Sequence, residues 1–246
     1  MNYIIFDLEF NQKHPDNKDI ASPDLTFEII QIGAIKLDKN FNTISIFNEL
    51  IKPTVFSTIH PYVENLTNIT LDMVNSCRTF PDIFNDFLKF IGNEKYTLVV
   101  WGAGDLRELF RNIEFHKIPL SSLNFNYIDI QGYASSYFKY PKGNKIGLKS
   151  AIELFNIDIE KDFHNAFNDA YYTSKIFKEL YNKKLKPKAY KIPPKKIHSQ
   201  PNQKLDLDAL FAQFEKIYNR TMTIEEKEMI RLAYMMGKTR QFIKEN

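Results

Sequence analysis

The stretch YIIFDLEF, residues 3–10, decides the fold because it joins a buried strand to a pair of acids. In an extended strand, residues two apart point to the same face, so Asp7 and Glu9 share one side of this element. Two like charges at the end of a buried strand are costly unless they reach solvent or a cation lies between them. The stretch is therefore either a solvated strand end or part of a metal site, and the apolar flanking residues, together with the further acids described below, favour the metal site.

The segments that follow indicate an α/β fold. Two strand-like runs, 26–38 and 43–53, flank the turn-like sequence DKNFN, and a polar loop with two prolines, 12–24, precedes them. Apolar periodicity then alternates between helices and strands, namely helix 81–92, strand 96–102, helix 105–115, strand 125–130, and helices 131–138, 147–157 and 165–181. This order predicts an α/β fold with a mixed five-stranded sheet, an antiparallel meander plus parallel strands, flanked by helices. Sites in such sheets collect at the carboxyl ends of the parallel strands.

Composition changes near residue 181. The segment 181–201 contains seven lysines, four prolines and no acid, and two amphipathic helical patterns follow it. The second pattern begins with a capping box, Thr223 and Glu226, and ends at Gly237. We therefore expect one large α/β domain over 1–181, a Lys/Pro-rich linker over 182–203 and a small helical appendage over 204–246. The linker is either a solvated spacer or an arm that follows phosphates, and the appendage is a possible docking element for a protein partner.

Length, net charge, cysteine content and the distribution of apolar residues indicate the cellular compartment in which the protein is expected. The chain has 246 residues and a net charge of +3, which alone does not indicate a polyanionic partner. The single cysteine, Cys77, excludes an intramolecular disulfide and suits a reducing compartment. No signal peptide and no apolar run long enough for a membrane span can be recognised. These features predict a soluble cytoplasmic protein that does not associate with a membrane.

Further acids lie where a site would collect them. Asp105 in WGAGD follows a predicted strand and opens a helix, so it is either an N-cap or a site residue. His164 and Asp169 are five residues apart, which separates them by roughly 140° on a helical wheel. We therefore expect His164 at the very start of the helix or in the loop before it, with Asp169 pointing into the site.

Carboxylates with one histidine form a hard-oxygen site, which suits Mg²⁺ or Mn²⁺ better than zinc. Two such cations can clamp the attacking and leaving oxygens of a phosphodiester. A neutral histidine beside them can accept the proton of the attacking water.

Taken together and in order, these motifs resemble the DEDDh 3′–5′ exonucleases, which have an RNase H-like fold. The finer resemblance is to the branch that contains KapD-like bacterial proteins and the exonucleases that trim histone mRNA. It covers about residues 1–181 and rests, besides the acids, on the segments EIIQIGAIKLD, LTNIT, WGAGD, GLKSAIELFNI and HNAFNDA.

The resemblance implies a set of catalytic and metal-binding residues. Asp7, Glu9, Asp105 and Asp169 are expected to bind two Mg²⁺ ions, for which Mn²⁺ can substitute, with Asp7 bridging both ions and Asp105 acting through a bound water. His164 is expected to be the general base.

The resemblance also implies contacts with the 3′-terminal nucleotide. The backbone around Leu8 and Phe10 is expected to cradle it, and Leu66 and Thr67 belong to the loop that wedges near its base. Asn68 replaces the glycine usual in that loop, and since asparagine tolerates a left-handed conformation we expect the loop shape to persist.

The predicted function is metal-dependent 3′–5′ exonuclease activity on single-stranded RNA or DNA 3′ ends, releasing 5′-mononucleotides. Two alternatives stay open, a non-catalytic nucleic-acid-binding or regulatory module on the same fold, and a proofreading exonuclease associated with a polymerase. The choice between RNA and DNA depends on contacts with the 2′-hydroxyl, and no motif assigns such a contact.

Overall fold

The structure is a computed structural model that describes residues 1–14, 25–119, 125–141, 143–181, 185–191 and 206–238. It divides into two compact units, Met1–Ile192 and Pro193–Asn246. Most of the predicted loop 12–24 and most of the predicted linker 182–203 lie outside the described residues.

The first unit is built on a sheet with the strand order β3-β2-β1-β4-β5-β6. Its strands are β1 (Asn2–Gln12), β2 (Phe27–Leu37), β3 (Thr43–Leu50), β4 (Tyr96–Val100), β5 (Asn126–Asp129) and β6 (Lys188–Ala189). Strands β1, β2 and β3 form an antiparallel meander, β1, β4 and β5 are parallel, and β6 is antiparallel to β5. The central position of β1 places the acidic pair in the middle of the sheet.

Helices cover both faces of this sheet. Those of the first unit are α1 (Pro61–Thr67), α2 (Leu71–Asn75), α3 (Phe80–Ile91), α4 (Gly104–Phe115), α5 (Ile130–Tyr137), α6 (Leu148–Leu154) and α7 (Ala166–Leu180). The ends follow local sequence, since α3 has a proline in its first turn and stops at Gly92, which has a φ of 72°.

The alternation of β1 sorts its side chains between two cores. Ile4, Phe6 and Leu8 face one core together with residues of α3 and α4. Tyr3 and Ile5 face the other core, which includes residues of α5, α6 and α7. Asp7 and Glu9 continue the second face, because the period of a strand is two. The strand therefore delivers both carboxylates to the side of the sheet that α7 covers.

The predicted α/β class and RNase H-like fold are confirmed, but among the described residues the sheet has six strands rather than five. The additional strand, β6, pairs Tyr127 with Lys188 and Asn126 with Ala189, inside the segment predicted as a linker. The ring of Tyr190 stacks on Phe110 with centroids 4.7 Å apart, which anchors this segment on the first unit. A strand of only two residues is too short to show a period of two, and the surrounding lysines and prolines are not typical of strands.

Two short helices were also not predicted. Helices α1 and α2 lie between β3 and α3, and a small core of Ile30, Val63 and Val74 holds them. They are too short for a helical period to stand out in the sequence. Asn68 ends α1 with a φ of 57°, so it adopts the left-handed conformation that asparagine tolerates.

The second unit contains α8 (Leu207–Tyr218) and α9 (Ile224–Lys238). The predicted capping box is present, because the amide of Thr223 donates to the Glu226 carboxylate at 2.9 Å and the amide of Glu226 donates to the Thr223 hydroxyl at 3.2 Å. Helix α9 runs one residue past the predicted end at Gly237. Among the described residues, no helix has the length and apolar character that crossing a membrane requires.

Candidate active site

A β-bulge marks the carboxyl end of β1. Glu9 pairs with Gln31, whereas the next residue, Phe10, pairs with Ile29, so Ile30 is an extra residue of β2. The buried side chain of Asn112 accepts a hydrogen bond from the Ile29 amide at 3.2 Å and so holds the bulged strand against α4. Bulges increase local twist and redirect side chains, and this one lies directly after the acidic pair.

Three carboxylates converge beside this bulge. One oxygen each from Asp7, Glu9 and Asp169 lies within 4.8 Å of the others. The first two come from β1, and the third comes from the first turn of α7, which lies against β2 at Gly33, where a side chain would collide with its backbone. The close approach of helix and strand at this glycine brings Asp169 to the acidic pair.

Asp105 is the fourth predicted acid and lies beside the first. The N-cap of α4 is Ala103, so Asp105 is not the cap and instead stands in the first turn of the helix. Its carboxyl group lies close enough to Asp7 for its charge to raise the pKa of that acid. Asp105 thus joins the acidic group through Asp7 but is not part of the three-carboxylate cluster defined above.

Burial raises the pKa values of all four acids, and the charges of neighbouring carboxylates add to this for Asp7, Glu9 and Asp105. Burial raises the pKa of Asp7 well above its usual value, with further contributions from the charges of Asp105, Asp169 and Glu9. Burial and the charges of Asp169 and Asp105 raise the pKa of Glu9 to about 8. The pKa of Asp105 rises to about 7 through burial and Asp169, and burial raises that of Asp169 to about 6. Without a cation, this group therefore does not hold four negative charges at neutral pH.

One oxygen of the cluster lacks a partner. The buried Oδ1 of Asp169 makes no hydrogen bond among the described residues, whereas its Oδ2 accepts one from the backbone amide of His164 at 3.3 Å. Buried polar atoms are normally satisfied, so the orphaned oxygen indicates a missing ligand. Together with neighbouring carboxylates, this donor set suits a hard divalent cation such as Mg²⁺ or Mn²⁺.

His164 lies in the loop that leads into α7, as the five-residue spacing predicted. It is two residues before the helix begins, its side chain is exposed, and its φ of 61° is left-handed. The next residue, Asn165, is the N-cap, and its side-chain oxygen accepts from the amides of Phe167 and Asn168 at 3.1 and 3.3 Å. The histidine is therefore attached to a capped helix start rather than to an unconstrained loop.

The two β1 residues predicted to contact substrate are placed differently. The side chain of Leu8 is buried in the core on the face opposite the acids, so only its backbone is available to a ligand. Phe10 is half-buried, packs on the same core, and has its ring centroid 6.2 Å from that of Phe27.

The other two predicted contacts lie at the end of α1. Leu66 is half-buried, whereas Thr67 is buried and its hydroxyl is engaged, donating to the Val63 carbonyl at 2.8 Å and accepting from the Ile69 amide at 3.1 Å. Thr67 and Asn68 line a cavity of about 740 Å³ whose other walls include Asp162, Phe163 and Asn165 of the loop before α7. Thr67 can thus contribute its methyl group or backbone to a ligand, but its hydroxyl already has partners.

Two residues that shape the site were given no role by the sequence. Gly33 and Gln31 lie in the segment EIIQIGAIKLD, opposite Asp7 and Glu9 in the strand register. The sequence signal that could have identified them is the presence of a glycine and a polar side chain among the apolar residues of β2. A glycine inside a strand often marks the close approach of another backbone.

Comparisons with known proteins agree with this geometry. A family model described as Exonuclease matches residues 4–177. DNA polymerase III PolC-type from Clostridium perfringens is 28% identical over 74% of this chain, which spans 11% of that protein. The probable 3′-5′ exonuclease KapD from Bacillus subtilis is 27% identical over 71% of this chain and 82% of its own length.

A solved structure shows the same fold. The nuclease domain of 3′hExo, described as a DEDDh family member bound to rAMP, superimposes with a TM-score of 0.65 at 18% identity, covering 78% of this chain and 96% of that one. Since the family model spans most of the chain, the chain belongs to the exonuclease family.

Proposed function

We propose that this protein removes 5′-mononucleotides from the 3′ ends of single-stranded RNA or DNA in a reaction that depends on divalent metal. The observation that carries the proposal is the convergence of oxygens from Asp7, Glu9 and Asp169 within 4.8 Å of one another. Like charges at this separation favour a polyvalent cation, and a 3′ phosphodiester is the substrate class that the family acts on.

Asp7, Glu9, Asp105 and Asp169 are the residues that would hold the metal, with Mg²⁺ as the expected ion and Mn²⁺ as a substitute. The orphaned Oδ1 of Asp169 and the raised pKa values of the group support this assignment. When bound, a pair of such ions supplies Lewis-acid stabilisation of the charge that develops on the phosphate oxygens.

His164 is proposed as the general base. Its exposed imidazole stands two residues before α7, and its backbone amide is tied to Asp169. In the neutral form one ring nitrogen accepts the proton of the attacking water. Attack on phosphorus breaks its bond to the 3′-oxygen of the preceding nucleotide, so the products are a 5′-mononucleotide and a shortened strand with a 3′-hydroxyl.

The backbone of Leu8 and Phe10, with Leu66 and Thr67, is proposed to hold the terminal nucleotide. Support comes from their positions, since the first pair flanks Glu9 on β1 and the second pair ends α1. Because the Thr67 hydroxyl is already engaged, its contact with the base or sugar would be apolar.

A substrate panel tests the proposal and also the choice between RNA and DNA. The panel contains 5′-labelled single-stranded RNA, single-stranded DNA, a stem-loop with a 3′ tail and a blunt duplex, each with Mg²⁺ and with EDTA. With Mg²⁺, the expected result is a ladder of products shortened from the 3′ end, together with 5′-mononucleotides. With EDTA, no shortening is expected. Tight binding without turnover would instead favour the non-catalytic module.

A proofreading role is the second candidate, favoured by the similarity to part of a PolC-type polymerase. Faster removal of a mismatched than of a matched 3′ nucleotide from a primer–template, together with co-purification of a polymerase, would support it.

The helices α8 and α9 are proposed to dock a protein partner. Several of their apolar side chains are exposed, including Ile217, Ile224 and Leu232. Truncating these side chains to alanine is expected to weaken association with the partner while leaving turnover of a short oligonucleotide unchanged.

A further inference from the structure

The polar side chain of Gln31 is buried in the middle of β2, which is otherwise apolar at this point. It is 3% exposed and pairs directly with Glu9 across the two strands. A buried amide needs partners for its oxygen and its NH₂ group, and those partners show what the residue does.

The oxygen of this side chain serves the start of α7. Its Oε1 accepts a hydrogen bond from the backbone amide of Ala166, the first residue of the helix, at 3.1 Å. Its Nε2 donates to the Oδ1 of Asn48 on β3 at 2.9 Å. A backbone amide can only donate, so the orientation of the Gln31 amide is fixed by the helix, and β3 supplies the second anchor.

The remaining amides of this helix start are capped from within the segment. Asn165 accepts from Phe167 and Asn168 through its side chain, and from Asp169 through its carbonyl at 2.9 Å. The amide of Ala166 is the member of this set that is satisfied by the sheet. The hydrogen bond between Gln31 and the Ala166 amide therefore fixes the position of the first residue of α7, and with it the position of the preceding loop that carries His164.

We infer that Gln31 is a positioning residue that holds the helix start so that His164 reaches the reacting water. This inference rests on the proposed function and names a further residue of the same reaction. Asp169 lies inside the helix, where packing against β1 and β2 holds it, whereas His164 lies outside the helix with an exposed side chain and a left-handed φ of 61°. Loss of the hydrogen bond between Gln31 and the Ala166 amide is therefore expected to displace His164 more than Asp169.

The test uses the full chain and a double-mutant cycle. Gln31→Met keeps the length and buried volume of the side chain but removes both hydrogen bonds, and His164→Asn removes the proposed base. The expected result is that Gln31→Met lowers kcat about tenfold or more with KM within about threefold, yet lowers kcat less than about twofold in the His164→Asn background.

Lys36→Met is the matched control. Lys36 is on the same strand and its ammonium donates to the carbonyl of Ile91 at the end of α3, 3.0 Å away, so its loss also frees a helix end from β2, but away from the acids. Kcat is expected to be unchanged in this variant. Amide hydrogen exchange is expected to accelerate at Ala166 in Gln31→Met and not in Lys36→Met.

The outcomes separate the two proposals. A wild-type protein without metal-dependent turnover overturns the proposed function and this inference together. An active wild type in which the effects of Gln31→Met and His164→Asn multiply independently overturns the inference alone. Unchanged exchange at the Ala166 amide in Gln31→Met also overturns it, because the tie would then not hold the helix start.

Discussion

A Cβ atom on Gly33 would lie 2.1 Å from the backbone nitrogen of Phe167, a separation that no side chain can occupy. Strand β2 and the first turn of α7 therefore touch backbone to backbone. In the strand register, Gly33 pairs with Asp7. The contact that brings the helix onto the sheet is thus directly beside Asp7 of the candidate site, so we expect stability and catalysis to depend on the same glycine.

Gly33→Ala is expected to displace the start of α7 and to separate Asp169 from Asp7. We expect the free energy of unfolding to fall by about 1–3 kcal/mol, as for other overpacked sites, and kcat to fall at least about a hundredfold. Urea unfolding and oligonucleotide trimming measure the two effects. Gly132→Ala is the control, since a Cβ there would make only an ordinary contact, at 3.8 Å. Full activity in Gly33→Ala would show that the helix can shift without harm.

Glu9→Gln is expected to stabilise the metal-free protein at alkaline pH while abolishing activity. The folded pKa of Glu9, about 8, lies above its ordinary value of 4.5, so between these values the folded state binds more protons than the unfolded state. Stability in EDTA therefore falls as pH rises through this window, and the glutamine variant, which has no such proton, falls less. At pH 8.5 the variant should be more stable by about 1 kcal/mol or more.

Denaturant unfolding in EDTA from pH 4 to pH 9 checks this prediction. Parallel pH profiles for the wild type and Glu9→Gln would contradict it. Addition of Mg²⁺ should reverse the order of the two proteins, because the carboxylate then has a cation.

Asp7→Asn is expected to remove the stabilisation that divalent metal gives to the fold. A ligand that binds only the folded state at a hundred times its Kd adds about 2.7 kcal/mol, so the Tm of the wild type should rise by several degrees with Mg²⁺ or Mn²⁺. Thermal unfolding with and without metal is the measurement. Asp158→Asn, which changes an exposed acid outside the cluster, should keep the full shift. An equal shift in Asp7→Asn would place the metal elsewhere.

His164→Asn is expected to lower kcat about 10²–10⁴-fold, the usual range for a general base. Asparagine tolerates the left-handed backbone at this position, so the fold should be retained. The Mg²⁺-dependent rise in Tm should also remain, because the imidazole is not among the clustered ligand atoms. Single-turnover trimming and thermal unfolding provide the two readouts. Near wild-type turnover would remove His164 from the proposed role.

Most of the strands and helices could be predicted because they follow short-range patterns. The central strand, the hairpin and the later helices all lie close to the segments that apolar periodicity assigned. The elements that escaped prediction, α1, α2 and β6, are short, and their stability comes from contacts such as the stacking of Tyr190 on Phe110 rather than from their own sequence.

The sequence by itself determined which groups can do chemistry and which of them share a strand face, because the period of two in β1 aligns Asp7 with Glu9 before any tertiary contact forms. The five-residue spacing also placed His164 at the very start of the helix of Asp169 or in the loop before it. Only the tertiary structure decided how close Asp169 and Asp105 come to the first pair, and therefore how strongly the carboxyls raise the pKa values of one another. That distance depends on the bare backbone of Gly33 and the amide of Gln31, whose partners are more than 130 residues away in the chain. Contacts over such separations are set by packing of the whole domain, and local sequence does not encode them.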